Sequence, residues 1–102
     1  MSIIRDLKTG TVGKRSSHWR GFSKEVKKEV GHCEACDSKW FLALHHILPF
    51  HLHPELELDR NNCIVLCRKC QFIFGHLRYW KSWNISIRRD AKILLDKIRN
   101  RP

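Results

Sequence analysis

The sequence predicts a small α+β domain, stapled by zinc and flanked by a helix at each end. Three observations carry this. Two C-x2-C pairs, Cys33/Cys36 and Cys67/Cys70, stand thirty residues apart. Two short apolar runs between them, Trp40 to Leu48 and Cys63 to Leu66, read as strands. Outside the pairs the apolar period becomes helical, with Trp19, Phe22, Val26 and Val30 at one end and Ile87, Ala91, Leu94, Leu95 and Ile98 at the other. A chain of 102 residues builds only a thin core, and chains this short commonly need a metal, a disulfide or a partner.

Residues 1–15 read as a flexible basic arm, with Gly10, Gly13 and scattered Lys/Arg in no clear period. Residues 16–102 are expected to form one domain, with its motif core at 33–80. Ser16 or Ser17 suits the cap of a helix running to Val30, and Gly31 stops it. Cys33 to Lys39 forms a knuckle that presents two thiolates. Pro49 to Asn61 is a loop of about a dozen residues, a length usually reserved for function. Within it Glu55-Leu56-Glu57-Leu58-Asp59 alternates, which packs the two leucines inward and leaves the acids solvated. The second knuckle opens a helix from about Lys69 to Trp80. Asn84 or Ser86 then opens an amphipathic helix over 84–100. Trp19, Trp40, Trp80 and Trp83 are expected in the core or at helix contacts rather than as platforms for bases.

Hydrophobic residues make up 42% of the chain, which places it among globular sequences. No run of about 18 apolar residues exists, and the first residues meet charge at Arg5 and Asp6, so neither a membrane span nor a signal peptide is read. The expectation is a cytoplasmic protein. Disulfides are rare there, so paired cysteines favour metal ligation.

Net charge is +10. Residues 1–28 carry +6, residues 77–102 carry +6, and residues 29–76 carry −2. Two basic flanks around a slightly acidic centre suit a polyanion held across that centre, and nucleic acid is the polyanion such an excess usually serves. Lys14, Arg15, Arg20, Arg78, Lys81, Arg88 and Arg89 are the candidate DNA-binding residues.

Zinc takes four tetrahedral ligands and thiolates suit it. Cys33, Cys36, Cys67 and Cys70 fill the shell and leave no open position, so this ion is structural. Cys63 lies in a strand pattern and reads as a buried apolar residue.

The order His45-His46-Ile47-x-Pro49, then Asn62, then Cys67-x2-Cys70 and a following helix resembles the HNH endonucleases. More narrowly it is similar to members with two zinc-binding C-x2-C pairs. The shared stretches are His45 to His51, Pro54 to Leu58, Asn62 to Cys70, and Phe74-Gly75-His76. The resemblance implies a ββα-metal, treble-clef-like core: a two-stranded hairpin on a helix with the site in their cleft. It implies His46 as general base, a role that imidazole suits because its pKa lies near neutrality. It implies His45 and His76 as ligands of a catalytic divalent metal (Mg²⁺, Mn²⁺, Ni²⁺ or Zn²⁺), and Asn62 as a brace for the loop between the strands. His51 shares the family's P-F-H and is a candidate supporting residue. The implied products are a 5′ phosphate and a 3′ hydroxyl, and the implied setting is a bacterial cell or a phage-infected host.

Two points of local structure bear on this. Neighbours on a regular strand face opposite ways, so the His45–His46 pair calls for a strand end or a bulge. The family usually places histidine directly after the second C-x2-C pair, where this chain has Gln71. Gln71 and His76 are also about 140° apart on an ideal helix; Gly75 would let the helix end and swing His76 back. Three readings of Gln71 stay open: natural divergence, an inactivating change, or a site served by His45 and His76, with Gln71 a weak third ligand at most. The sequence thus points to a metal-dependent HNH-type DNA endonuclease. The alternative is a zinc-containing DNA-binding module of the same fold with weakened or lost cutting. A protein–protein zinc module fits neither the charge nor the histidine pair.

Overall fold

A computed structural model describes residues 15–101. Lys14 and the rest of the expected arm before Arg15 lie outside the described residues. The first helix, α1, spans Trp19–Val30. Its entry is a tight turn in which the Ser16 hydroxyl accepts from the His18 amide at 3.0 Å, so Ser16 shapes the approach while His18 stands at the cap without a side-chain bond. Gly31 ends the helix at φ 77°, a left-handed conformation that glycine adopts without penalty, and its N–H bonds Lys27 O at 2.8 Å.

Strands β1 (Leu42–His46) and β2 (Cys63–Cys67) pair antiparallel in continuous register from Leu42 opposite Cys67 to His46 opposite Cys63. Glu34 closes the open side of β2. Its N–H bonds Val65 O and its carboxylate accepts from Val65 N, each at 2.8 Å. The first cysteine knuckle is thereby tied to the hairpin. The loop between the strands carries two short 3-10 turns, Pro54–Leu56 and Arg60–Asn62.

β2 runs into α2 (Arg68–Cys70), which passes at once into a π turn over Gln71–Gly75. The expected helix to Trp80 is therefore cut short. The His76 amide bonds Gln71 O at 3.0 Å, five residues back, and Leu77 and Arg78 then take positive φ of 53° and 68°. The last helix, α3, spans Ile87–Arg99. Asn84, which is buried, starts it. Its side-chain oxygen accepts from Ser86 N at 2.9 Å, and its amide group donates to Phe74 O at 3.1 Å and to Asp90 at 2.8 Å.

The hairpin is covered on both faces. On one, Ile64 and Leu66 pack with Cys33, Ala35, Cys67, Cys70, Ile87 and Ala91. On the other, Leu44, Cys63 and Val65 pack with Val26 and, around it, Trp19, Phe22 and Val30. The fold is thus small α+β, with the ββα order expected and a helix at each end. Among the described residues no helix is long and apolar enough to cross a membrane.

Two expectations about packing fail. Trp40 is 74% exposed and Trp80 59%, so these rings are not core. In the loop it is Glu57 that is buried, at 7% exposure, while Leu58 stands in solvent. The reason is a polar partner: both Glu57 carboxylate oxygens accept from the Ser16 amide, at 2.9 and 3.3 Å. Charge-assisted bonds of this kind offset the cost of burying a carboxylate.

Candidate active site

The two knuckles bring Cys33, Cys36, Cys67 and Cys70 together, with all four sulfurs within 4.8 Å of one another. Cys36 and Cys67 sulfurs are 3.7 Å apart, against about 3.8 Å for the edge of a tetrahedron with zinc–sulfur bonds of about 2.3 Å. Within the cage Cys33 takes the thiolate, while a hydrogen bond to Cys33 holds the Cys70 thiol up and burial pushes the Cys36 thiol up. The Cys33 thiol is pushed down to about 4, chiefly by a hydrogen bond from Cys70 and then by backbone amides, against the opposing effect of burial. Two of those amides, Ala35 and Cys36, reach its sulfur at 3.4 Å. The donor set and spacing fit zinc. Cys63 is not part of the cage. It lies in the core against α1, where burial pushes its thiol up to about 11.

A cleft of about 600 Å³ opens at the end of β1, between the loop and the π turn. His45, His46, His51, Gln71 and His76 all line it. The unbroken strand register sends His45 and His46 to opposite faces, and both reach the cleft because the strand ends there.

His46 faces α1. Its Nε2 lies 2.9 Å from Glu57 O. A carbonyl only accepts, so Nε2 carries the proton and the neutral ring keeps its lone pair on Nδ1. The Arg15 guanidinium donates to that Nδ1 at 3.2 Å. Trp19 packs on the imidazole at 4.6 Å between ring centres, and Arg15 is held over both Trp19 and Phe50. Burial lowers the His46 pKa most, with the Arg15 charge adding and the Glu57 carbonyl opposing.

His45 faces the π turn. It is 3% exposed, and its Nε2 is buried with no hydrogen-bond partner among the described residues. Burial, with His76 and His46 nearby, pushes its pKa down to about 4, so the ring is neutral. His76 meets it edge-on at 5.1 Å between centres. His76 Nδ1 lies 2.8 Å from Ser82 O and is therefore the protonated nitrogen, which leaves Nε2 as the lone-pair atom. A buried imidazole nitrogen with nothing to bond, beside a second one held in a fixed tautomer, fits a metal ligand pair.

The π turn explains how Gln71 joins them. On an α-helix residues 71 and 76 diverge; the five-residue ring closed by His76 N–H to Gln71 O returns both to the cleft. Gly75 has a different role from the one its sequence position implies. It does not take a positive φ, and its backbone passes so close to His45 that an added Cβ would sit 2.8 Å from the ring.

Asn62 lies at the foot of the loop. Its Oδ1 accepts from Leu48 N at 2.9 Å and its amide donates to Leu48 O at 3.1 Å, while Asn62 O accepts from Ile47 N at 2.8 Å. These bonds fix the chain as it leaves β1. Of the candidate DNA-binding residues, Arg15 and Lys81 line the cleft. Arg20 and Arg78 are exposed elsewhere. Arg88 bonds Cys63 O at 2.9 Å, and Arg89 pairs with Asp90 at 3.2 Å.

Sequence reasoning missed the packing of Trp19 on His46, the burial of Glu57 and the close approach of Gly75 to His45. The buried glutamate left one signal, its place in the Pro54 to Leu58 stretch that the resemblance already covers. The family model for HNH endonucleases matches residues 33–71, from the first knuckle through both strands to Gln71. No curated protein and no solved structure matches the chain.

Proposed function

We propose, from the premise that residues 33–71 are an HNH endonuclease segment, that this chain hydrolyses phosphodiester bonds in DNA with His46 as general base. The observation that carries the reading is the orientation of His46. Its Nε2–H is anchored on Glu57 O, which leaves the lone pair on Nδ1, and Nδ1 meets Arg15, a fellow lining residue of the cleft that His45 and His76 share. In the reaction Nδ1 takes a proton from water as the water oxygen bonds phosphorus. The P–O3′ bond breaks, and the 3′ oxygen leaves and is protonated from solvent, giving a 5′ phosphate and a 3′ hydroxyl. Base catalysis of this type contributes roughly 100- to 10,000-fold.

His45 and His76 would hold the catalytic divalent metal, with Gln71 as a neutral oxygen donor beside them. When bound, such an ion supplies Lewis-acid stabilisation of charge on the phosphate and the leaving oxygen. Asn62 keeps the loop in place, so that Glu57 O stays where His46 needs it. Arg15 occupies the approach to Nδ1 and must move aside for water; its guanidinium then has a phosphate to bind. Cys33, Cys36, Cys67 and Cys70 would hold structural zinc, which joins the knuckles that frame β2 and the start of α2.

A second reading has one observation in its favour. Gln71 stands in the cleft where the family usually has histidine, and an amide oxygen is a poorer ligand for borderline metals than imidazole. In that reading the chain binds DNA and cuts weakly or not at all. Incubation with supercoiled plasmid, with and without Mg²⁺, Mn²⁺ or Ni²⁺, separates the two. Open-circle or linear product supports the nuclease; retarded but intact plasmid supports the binding module.

A further inference from the structure

Beside the cleft lies a second concavity of about 720 Å³, running over the zinc knuckles. Trp40, Phe41, Phe72 and Trp80 give it its rings, and Arg68 and Lys69 give it positive charge. Trp40 and Phe41 are 74% and 73% exposed. Phe41 is held at φ 54°, a conformation that side-chain-bearing residues adopt at a cost and that clusters at functional surfaces. The Arg68 guanidinium lies 4.9 Å from the centre of its ring. Trp80 belongs to both concavities. Its indole packs 4.9 Å from His76 on the cleft side and 4.8 Å from Phe72 on the other.

We infer that this groove is a stacking platform for unpaired nucleotides of a DNA strand that continues out of the cleft, so that the preferred substrate carries a single-stranded segment next to the cut. This rests on the nuclease reading above and narrows its substrate. Exposed planar rings gain little from a duplex, whose bases are already stacked inside, and gain much from unpaired bases. Charge agrees. Arg68 and Lys69 line the groove, whose lining holds no Asp or Glu, and together they offset the roughly −2 formal charge of zinc held by four thiolates. Continuity agrees as well, because Trp80 is the shared wall between the groove and the cleft that holds His45, His46 and His76.

The test uses the full chain with no divalent ion added, so that binding is read apart from cutting. Fluorescence anisotropy measures affinity for a labelled oligothymidylate of about twenty nucleotides and for a duplex of the same length, at one salt concentration. The variants are Trp40→Ala, Trp40→Leu and Trp40→Tyr, with Phe41→Asn as an independent second site because asparagine tolerates left-handed backbone. Both side chains project into solvent, and zinc content and circular dichroism check the fold. Loss of single-strand affinity by about tenfold in Trp40→Ala, Trp40→Leu and Phe41→Asn is expected, with Trp40→Tyr within about twofold of the parent and duplex affinity little changed. Parental single-strand affinity in the alanine and asparagine variants overturns the inference. Rescue by leucine also overturns it, since that marks a simple apolar contact of the kind a protein partner makes. If the duplex binds and the single strand is indifferent to Trp40, the groove inference falls alone. If the parent binds neither DNA, the nuclease reading falls with it.

Discussion

A methyl group on Gly75 would test the half of the cleft proposed to hold the catalytic metal. A Cβ there would lie 2.8 Å from His45 Cε1 and 2.9 Å from Nε2. Carbon atoms in contact settle near 3.5–4.0 Å, so the ring or the turn must give by about 0.7 Å or more. The His45 ring has little room, being 3% exposed with His76 against it. Two terms compete in the stability of Gly75→Ala. Alanine gains up to about 1 kcal/mol in backbone propensity, while overpacking costs about 1–3 kcal/mol. The net is a loss of about 0–3 kcal/mol. The site is affected as well, because a ligand displaced by something near 1 Å lowers a positioned reaction by about 100-fold. Calorimetric titration with Mn²⁺ and single-turnover plasmid nicking read the site, and a thermal melt reads the fold. Weaker metal binding and about 100-fold slower nicking, with a melt lowered only by that loss, are expected. Parental affinity and rate in a folded variant would show that His45 does not hold the metal in the position proposed.

Four further outcomes follow from the same geometry. Cys36→Ser should yield protein without zinc that is unfolded or insoluble, since structural zinc contributes folding free energy on the order of 10 kcal/mol; elemental analysis of soluble material is the check. Glu57→Ala removes the acceptor for the Ser16 amide and should cost about 1–3 kcal/mol in a denaturant melt, with weaker nicking as the loop loosens around His46. Gln71→His should tighten binding of Ni²⁺ or Mn²⁺ and raise nicking, and unchanged titrations would mean that position 71 does not touch the ion. Duplex affinity should fall steeply with salt, each phosphate contact adding roughly −0.9 to the slope of log K against log salt, and should drop when residues 1–15 are removed.

What could be read from the sequence follows from what spacing encodes. The C-x2-C pairs fix a cage because a metal tolerates few geometries, and the two apolar runs between them mark the strands, although β1 is two residues shorter at each end than its run. The amphipathic helices were legible for the same reason: Trp19 to Val30 and Ile87 to Arg99 each bury one stripe. The helix after Cys70 was not. Its sequence is compatible with an α-helix, and no residue type in it marks the π turn that packs Gly75 under His45 and brings Gln71 and His76 to one cleft. Glu57 was illegible because alternation in Glu55 to Asp59 gives the phase of burial only when the partner is known, and its partner is an amide 41 residues away. Trp40 and Trp80 broke the rule that large rings go inside, and a ring in solvent leaves no periodic trace in the sequence.

The central claim is that His46 is the base of a DNA-cutting site, and its most direct measurement is plasmid nicking by parent and His46→Ala side by side. The parent should convert supercoiled plasmid to open circle only when a divalent ion is present. His46→Ala should lose this by at least about 100-fold while binding duplex DNA as the parent does, since affinity rests on phosphate contacts and not on the imidazole. Nicking by His46→Ala at the parental rate, or cutting with no divalent ion supplied by a parent that carries a single zinc per chain in the cysteine cage, would contradict the account.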